Sequence, residues 1–295
     1  MDTYERELPA MGSTARIVVV GGGVDLLERA VARLAALEAR WSRFTPDSDV
    51  SRLNAAQAAG EPPPDISADT ELLLARAAEG FRITGGRFDP YRLDAIVAAG
   101  YDRPMGHPAV AAAARRSAAG FDPGGIGKGL AADIISSEII EGGAAGALVS
   151  VGGDLRVRGV APDSGTWRID VEDPRDGGVL TTIDLADGAV ATSSQLKRRW
   201  TQPDGTPRHH LIDPATGTSA TSPVLAATVI AADAWQAEVL TKVAFLDAFG
   251  DGAFSDDAGL ELVESLGAAA LVVTDALVAT TSRWHRFELT TEAAR

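Results

Sequence analysis

The sequence predicts a mixed-sheet α/β or α+β fold in a single domain. Strand-like and helix-like segments alternate unevenly along the 295 residues, and the middle of the chain is rich in strands. A regular doubly wound fold would alternate strand and helix throughout, so this unevenness argues against it. No sharp linker, internal repeat or low-complexity tail interrupts the sequence, and one domain over residues 1–295 is therefore expected.

Apolar periodicity and capping residues predict the elements of the first half. Asp25 precedes leucines and alanines at helical spacing, which predicts a helix that begins there. Gly21-Gly22-Gly23 is interpreted as the turn between the first strand and this helix. The predicted order is a strand over 16–20, a helix over 25–40, a polar loop over 41–54, a loop over 62–67, a helix over 71–80, a loop leading into a weak helix over 87–100, and an irregular excursion or short strand pair over 107–120.

The second half begins with a glycine-rich loop that leads into a helix ending near residue 141. A buried strand over 147–151 follows and is closed by Gly152-Gly153-Asp154. The remaining predictions are strands over 155–160, 167–172, 180–185, 189–192, 209–212 and 227–231, helices over 235–249 and 259–266, and a strand over 269–273.

Composition excludes several classes of protein. The formal net charge of −14 argues against a general binder of nucleic acids or of anionic membranes, although a local cationic site remains compatible with it. The chain has no cysteine, which excludes disulfides, thiolate metal sites and cysteine nucleophiles. No segment is apolar enough to span a bilayer, and the first residues carry neither a basic nor an apolar signal region. A cytoplasmic protein without a membrane anchor is expected.

The segment 122–133 carries the clearest functional signal. Asp122 opens it, Lys128 stands among four glycines, and a helix-like stretch follows. Glycines let backbone N–H groups approach a ligand, and a helix N-terminus favours anions, so a phosphate-bearing ligand is predicted. The spacing fits neither a P-loop nor a Rossmann fingerprint: Gly129 follows Lys128 where a serine or threonine is needed, and Leu26 replaces the third glycine after Gly21.

Several further polar, glycine-flanked blocks stand along the chain with the glycine loop. They are residues 11–14 (MGST), 42–54, 88–90 (FDP), 151–154 (VGGD), 191–194 (ATSS) and 210–217 (HLIDPATG). In this order and spacing the blocks resemble those of the ApbE family of FAD:protein FMN transferases. The resemblance covers nearly the whole chain, and seven collinear blocks make it specific.

The resemblance implies a T-shaped α/β fold of two interwoven subdomains with FAD held between them. It implies an enzyme that uses Mg²⁺ to split FAD and attaches FMN through a phosphoester to a threonine or serine of a target protein, with release of AMP. Two alternatives stay open. One is an FAD pyrophosphatase that yields FMN and AMP, and the other is a non-catalytic flavin-binding protein with a degenerate metal site.

Site residues follow from the matching blocks. The resemblance implies that Gly125 gives a carbonyl to the metal and that Lys128 lies near the flavin nucleotide. Ala99 stands where the family has a tryptophan near the adenine, and either Tyr91 or Tyr101 could substitute for it. The remaining residues implied at the FAD site are Met11, Ser48, Asn54, Asp89, Gly100, Asp122, Gly124, Thr192 and Ser193. The segment 192–194 departs from the family's block because its glycine is missing.

His210 and Asp213 are the candidate bases. The resemblance places both in the family's HIIDP block, where His210 could orient a phosphate or accept a proton from the target hydroxyl. Asp213 could act in catalysis or hold the turn at Pro214.

The last block departs from the family in a way that bears on the metal. Glu238 takes the position of an aspartate that binds Mg²⁺, and Lys242 replaces the metal-binding threonine, while Thr241 lies one residue earlier. Positions i and i+4 share a helix face, but an ammonium has no acceptor and repels a cation. Either Lys242 replaces part of the metal's charge, with Glu238 or Thr241 retaining a weakened metal site, or Glu238 and Lys242 form a surface ion pair.

Overall fold

An antiparallel sheet of eight strands organises the computed structural model, which describes residues 1–102, 120–163, 165–202, 205–247 and 258–289. The strands in chain order are β1 (Thr3–Ala10), β2 (Ser13–Val20), β3 (Gly146–Val151), β4 (Asp154–Gly159), β5 (Trp167–Glu172), β6 (Val179–Leu185), β7 (Gly188–Ser194), β8 (Arg199–Thr201), β9 (Pro207–His209), β10 (Ile212–Asp213), β11 (Thr218–Ser219), β12 (Val224–Ala231), β13 (Ala269–Thr274) and β14 (Val278–Thr280).

The sheet order is β1-β2-β3-β4-β7-β12-β13-β14, and the pairs β5-β6, β8-β9 and β10-β11 form small separate sheets. The helices are α1 (Val24–Trp41), α2 (Asp49–Ala59), α3 (Ala68–Ile83), α4 (Leu93–Ala98), α5 (Gly127–Glu141), α6 (Ala234–Asp247) and α7 (Ala258–Ser265). The predicted mixed α/β fold is confirmed. The prediction of a mixed sheet is corrected, because every strand pair in the described eight-stranded sheet is antiparallel. The division of the fold into two interwoven subdomains stays a prediction.

Side chains alternate between two hydrophobic cores on opposite faces of the sheet. In β2, Ile17 and Val19 belong to the core that also contains residues of α1, α5 and α6, whereas Val18 and Val20 belong to the core that contains residues of the β5-β6 hairpin and Trp284. This alternation follows from the two-residue period of a strand. Because both faces are covered, β3, β12 and β13 are almost wholly apolar, and α5 lies buried between the sheet and its neighbouring helices.

The predicted loop over 41–54 is wrong in its second half, because a helix begins at Asp49. Ser48 caps this helix, since its Oγ accepts a hydrogen bond of 3.0 Å from the Ser51 amide. Strand β1 was not predicted, because alternating charged residues on an edge strand give little apolar signal. The predicted strand over 209–212 is interrupted, since β9 ends at His209 and β10 begins at Ile212.

Other local predictions agree with the structure. Gly21-Gly22-Gly23 forms the turn between β2 and α1, and all three glycines have positive φ angles of 73°, 78° and 106°.

The excursion predicted over 107–120 lies, apart from Gly120, outside the described residues. Within the described ranges, no helix combines the length and apolar character needed to cross a bilayer.

Candidate functional site

A cleft of about 320 Å³ opens where β7, the start of α5 and α6 come together. Residues from distant parts of the sequence line it, including most of those predicted for the site. The predicted site residues in its lining are Asp89, Asp122, Gly124, Gly125, Lys128, Thr192, Ser193, His210 and Lys242.

The cleft is cationic although the chain is acidic. Its lining contains six lysines and arginines against three aspartates, and the three lysines of the whole sequence, Lys128, Lys197 and Lys242, are among them. Cationic side chains concentrated in a cleft attract anions even when the overall charge is negative. The predicted anion site therefore has an electrostatic basis in the structure.

The glycine loop is held by side chains behind it. Asp122 accepts a hydrogen bond of 3.1 Å from the Gly124 amide, and the Arg43 guanidinium lies 3.3 Å from the same carboxylate oxygen. Asn54 pairs with both backbone groups of Phe121 at 2.8 Å. Asn54 is therefore placed to fix the chain that leads into the loop, and it does not line the cleft.

Lys128 lies at the centre of a buried ionic cluster. Its Nζ contacts the Asp154 carboxylate and lies 2.5 Å from Glu238 Oε1, while Glu238 Oε2 accepts a 2.8 Å bond from the Gly129 amide. Glu238 is fully buried. Burial opposes ionisation of both groups, but the mutual attraction dominates, raising the pKa of Lys128 and lowering that of Glu238.

Lys242 is the second cation of this cluster and reaches the cleft. Its Nζ donates a 2.7 Å hydrogen bond to the backbone oxygen of Glu238 and lies 4.0 Å from Glu238 Oε1. Burial lowers the pKa of Lys242 to about 8, while Glu238 opposes the shift. The predicted Glu238–Lys242 pair thus exists, but it is buried at the cleft and is not a surface pair.

Hydroxyl groups extend the cluster toward β7. Thr241 Oγ1 donates to the Glu238 backbone oxygen at 2.7 Å and lies 2.7 Å from Ser193 Oγ. Thr192 donates its amide to Asp154 at 3.4 Å, and its hydroxyl lies 2.9 Å from that of Thr228. Ser193 and Thr192 line the cleft, whereas Thr241 is wholly buried behind it.

Glu238 and Thr241, two of the three residues predicted to hold Mg²⁺, have surroundings that do not suit that ion. A hard cation needs oxygen lone pairs, but both carboxylate oxygens of Glu238 are bonded to other groups. Thr241 is committed to Ser193 and to a backbone oxygen, and the Lys242 ammonium stands beside Glu238. Within the described part of the chain, no group of three or more histidine, aspartate or glutamate side chains is arranged to hold a metal.

The two adjacent histidines have different environments. The His209 ring is bonded to Ala220 O at 3.0 Å and to the Leu211 amide at 3.3 Å, and it lies in the core. His210 lines the cleft, and its buried Nδ1 has no hydrogen-bond partner among the described residues. Burial lowers the pKa of His210 well below its usual value, and the positive charges of Arg198 and Lys242 lower it further, so the imidazole is neutral.

Some predicted residues lie away from the cleft lining. Asp213 accepts hydrogen bonds from the Ala215 amide and the Thr216 hydroxyl. It therefore holds the turn at Pro214, which is one of the two roles predicted for it. Ser48 is the buried cap of α2. Met11 packs against the core with a positive φ of 50°, and its amide donates to Glu38.

Gly100 is the remaining predicted residue outside the lining, and it lies against an aromatic pair. A Cβ at Gly100 would stand 2.9 Å from Trp200 Nε1. Trp200 stacks on Tyr101 with ring centroids 5.7 Å apart and donates to Ala99 O at 2.7 Å. Tyr101 lines the cleft, so Tyr101 and Trp200 form an aromatic surface next to the position where Ala99 replaces a tryptophan.

Arg198 is a cleft residue that the sequence did not reveal. It has a positive φ of 51°, and its guanidinium reaches Gly12 O at 3.5 Å. Residues held in this region of backbone space cluster at functional sites. Nothing in the local sequence separates Arg198 from its neighbour Arg199, so only the fold identifies it.

Asp133 fixes the start of α6 and thereby the position of Glu238 and Lys242. Its carboxylate accepts hydrogen bonds from the Ala234 and Trp235 amides at 2.8 and 2.9 Å. Burial raises the pKa of Asp133 to about 7, although these bonds oppose the shift. The folded protein therefore retains a proton that the unfolded chain loses near pH 4.

This proton predicts a pH-dependent stability. The free energy of unfolding should fall by roughly 2–4 kcal/mol as the pH rises from about 4 to about 7. The reason is that the folded state is stabilised only while the Asp133 carboxyl is protonated. Urea titrations across this range should show that slope in the wild type and in Asp25→Asn, an exposed control. Asp133→Asn should lack it, and an unchanged slope in that variant would contradict the assignment.

Fold and site together define a class of protein: a mixed α/β protein with a glycine loop, buried lysines and a neutral histidine around a cationic cleft. The chain belongs to the ApbE family, whose sequence profile matches residues 11–271.

Relatives and solved structures agree with this assignment. The FAD:protein FMN transferase of Klebsiella pneumoniae (strain 342) is 34% identical over 115 residues, which are 38% of this chain and only 33% of that protein's length. The Haemophilus influenzae enzyme of the same name is 25% identical over 83% of this chain and 77% of its own. The ApbE protein of Thermotoga maritima superposes with a TM-score of 0.83 at 26% identity, covering 98% of this chain and 100% of that one.

The flavin transferase ApbE of Vibrio cholerae shares the fold, with a TM-score of 0.77 at 21% identity. It covers 97% of this chain and 99% of its own.

Proposed function

We propose that the chain is an FAD:protein FMN transferase that binds FAD in this cleft and transfers FMN to a threonine or serine of a target protein. The observation that carries the proposal is the cationic cleft in an otherwise acidic chain, with the glycine loop, Lys242 and an unpartnered His210 around it. A pyrophosphate is the anion that best fits this set, and the names of the curated relatives supply the flavin nucleotide. A cytoplasmic setting belongs to the same proposal and accords with the cysteine-free sequence.

The residues suggest how transfer proceeds. The pyrophosphate lies on residues 124–129, where backbone N–H groups and lysine charge offset its charge as the transition state forms. The target hydroxyl oxygen attacks the phosphorus nearer riboflavin, and the bond from that phosphorus to the bridging oxygen breaks. AMP leaves with the bridging oxygen. The neutral imidazole of His210, which lines the cleft, receives the hydroxyl proton.

Two other functions use the same cleft, and one experiment separates them. FAD is titrated into the protein by calorimetry, and the nucleotide is then chromatographed with and without an extract of the source organism. Transfer predicts AMP together with a protein band carrying covalent flavin fluorescence. Free FMN without an acceptor would indicate a pyrophosphatase, and bound but intact FAD would indicate a flavin-binding protein. Absence of FAD binding would overturn the proposal.

His210→Ala is expected to slow AMP release by about 100-fold or more, the usual contribution of a general base. Its melting temperature should stay near that of the wild type, because His210 has no hydrogen bond at Nδ1 to lose. His209→Ala should lower the melting temperature, since it removes two ring hydrogen bonds from the core. Its rate of AMP release should stay near that of the wild type. AMP release by His210→Ala at the wild-type rate would exclude His210 as the base.

A further inference from the structure

We propose that the Lys242 ammonium takes the place of a divalent cation, so that this cleft binds the FAD diphosphate without Mg²⁺. The inference rests on the proposed function for the identity of the ligand. It departs from the Mg²⁺ dependence that the family resemblance implies.

Neither carboxylate oxygen of Glu238 is free of a protein partner. One carboxylate oxygen lies 2.5 Å from Lys128 Nζ, and the other accepts the Gly129 amide at 2.8 Å. The carboxylate is fully buried, and Glu238 is not part of the cleft lining. A metal that used Glu238 would have to displace Lys128 and leave a buried amide without its acceptor, which is costly.

Lys242 already supplies a positive charge at the place where a metal would be needed. Its Nζ is anchored on Glu238 O at 2.7 Å, and its Cε lies 3.4 Å from the position that a Cβ on Gly125 would occupy. The ammonium is thus fixed between α6 and the glycine loop. It has three donors, and the anchor uses one of them, so the others can bind phosphate oxygens.

Charge balance supports the same assignment. Within the cluster, Lys128 and Lys242 offset Asp154 and Glu238, and the sum is zero. Without Lys242 these four groups would carry a net negative charge, and only the remaining cations of the cleft lining, such as Arg198, would offset the charge of a diphosphate. With Lys242 present, a divalent ion beside Gly125 would meet an ammonium instead of a ligand.

The first test compares FAD affinity in EDTA with FAD affinity in millimolar MgCl₂ by calorimetry. The wild type should show less than about a threefold difference, whereas Lys242→Met should bind about tenfold or more weakly in EDTA, the effect of losing one charge-assisted bond. Lys242→Arg should retain binding because it keeps the charge. Tightening of wild-type binding by Mg²⁺ of about tenfold or more would overturn the proposal.

Arg16→Met is the control. It removes an exposed cation outside the cleft lining, where Arg16 is 52% exposed and paired with Glu5. It should leave FAD affinity within about threefold of the wild type, since exposed pairs contribute little. An equal loss in both variants would show a general charge effect and would overturn the specific role of Lys242.

A second measurement needs no FAD and separates this inference from the proposed function. Mn²⁺, a paramagnetic substitute for Mg²⁺, is titrated into the apo protein and followed by electron paramagnetic resonance. No binding at millimolar Mn²⁺ is expected for the wild type, whereas a site that involves Glu238 would overturn the inference. If FAD does not bind at all, the proposed function fails, and the Mn²⁺ titration still decides whether Lys242 excludes a metal.

Discussion

Replacing Gly129 by alanine is expected to lower the free energy of unfolding by about 3 kcal/mol or more, which is the upper range for overpacking. The added Cβ would lie 2.3 Å from Ala234 O and 2.8 Å from Trp235 N. Both atoms belong to the backbone at the start of α6, so no side chain can move aside. The change would separate α5 from α6 and weaken the Gly129–Glu238 hydrogen bond, so FAD binding should fall as well.

Gly127→Ala is the control for this prediction because it lies two residues away in the same helical turn. A Cβ there would meet Pro123 Cβ at 3.5 Å and Trp41 Cε3 at 3.9 Å, which are ordinary contacts. Its stability should stay within about 1 kcal/mol of the wild type, with a gain possible because alanine is the better helix former. Urea unfolding of both variants decides the matter, and equal stabilities would refute the close contact at Gly129.

Replacing Lys128 by methionine is expected to destabilise the protein by about 3–5 kcal/mol, the cost of leaving a buried charge without its partner. Asp154 and Glu238 are 4% and 0% exposed, and both depend on the Lys128 ammonium. The loss should shrink at lower pH, because protonation of one carboxylate relieves the repulsion between the two. Urea unfolding at neutral and at mildly acidic pH measures both effects.

Lys197→Met provides the comparison for the stability of this variant. Its partner Glu172 is 56% exposed, so the ion pair contributes at most about 1 kcal/mol to the free energy of unfolding. A Lys128→Met variant that unfolds like Lys197→Met, with no dependence on pH, would show that the buried cluster does not stabilise the fold.

Much of the candidate site could be predicted from short stretches of sequence. The glycine loop is local, so the position of Lys128 beside an anion site follows from the glycines and the helix that surround it. The same holds for His210, which the HLIDPATG block marks. Asp213 shows where prediction from short stretches of sequence ends. An aspartate fits a catalytic base and a turn residue equally well, and only the hydrogen bonds to Ala215 and Thr216 show that Asp213 holds the turn.

Adjacent residues show why the rest required the fold. His209 and His210 have the same chemistry, yet one ring bonds within the core and the other faces the cleft. Their different surroundings depend on how β9 ends and which elements pack against it, and a single sequence does not contain that register.

The sequence by itself determined the mixed α/β class and membership in the ApbE family, and it predicted an anion site at the glycine loop. Local spacing suffices for the fold class and for the predicted anion site, because backbone freedom and apolar periodicity act over a few residues, whereas the family follows from the resemblance of the collinear blocks. Only the tertiary structure decided what Glu238 and Lys242 do. Lys128 reaches Glu238 across 110 positions of the chain, and the pairing arises because α5 packs on α6. That contact turns an apparent metal ligand into the buried partner of two lysines.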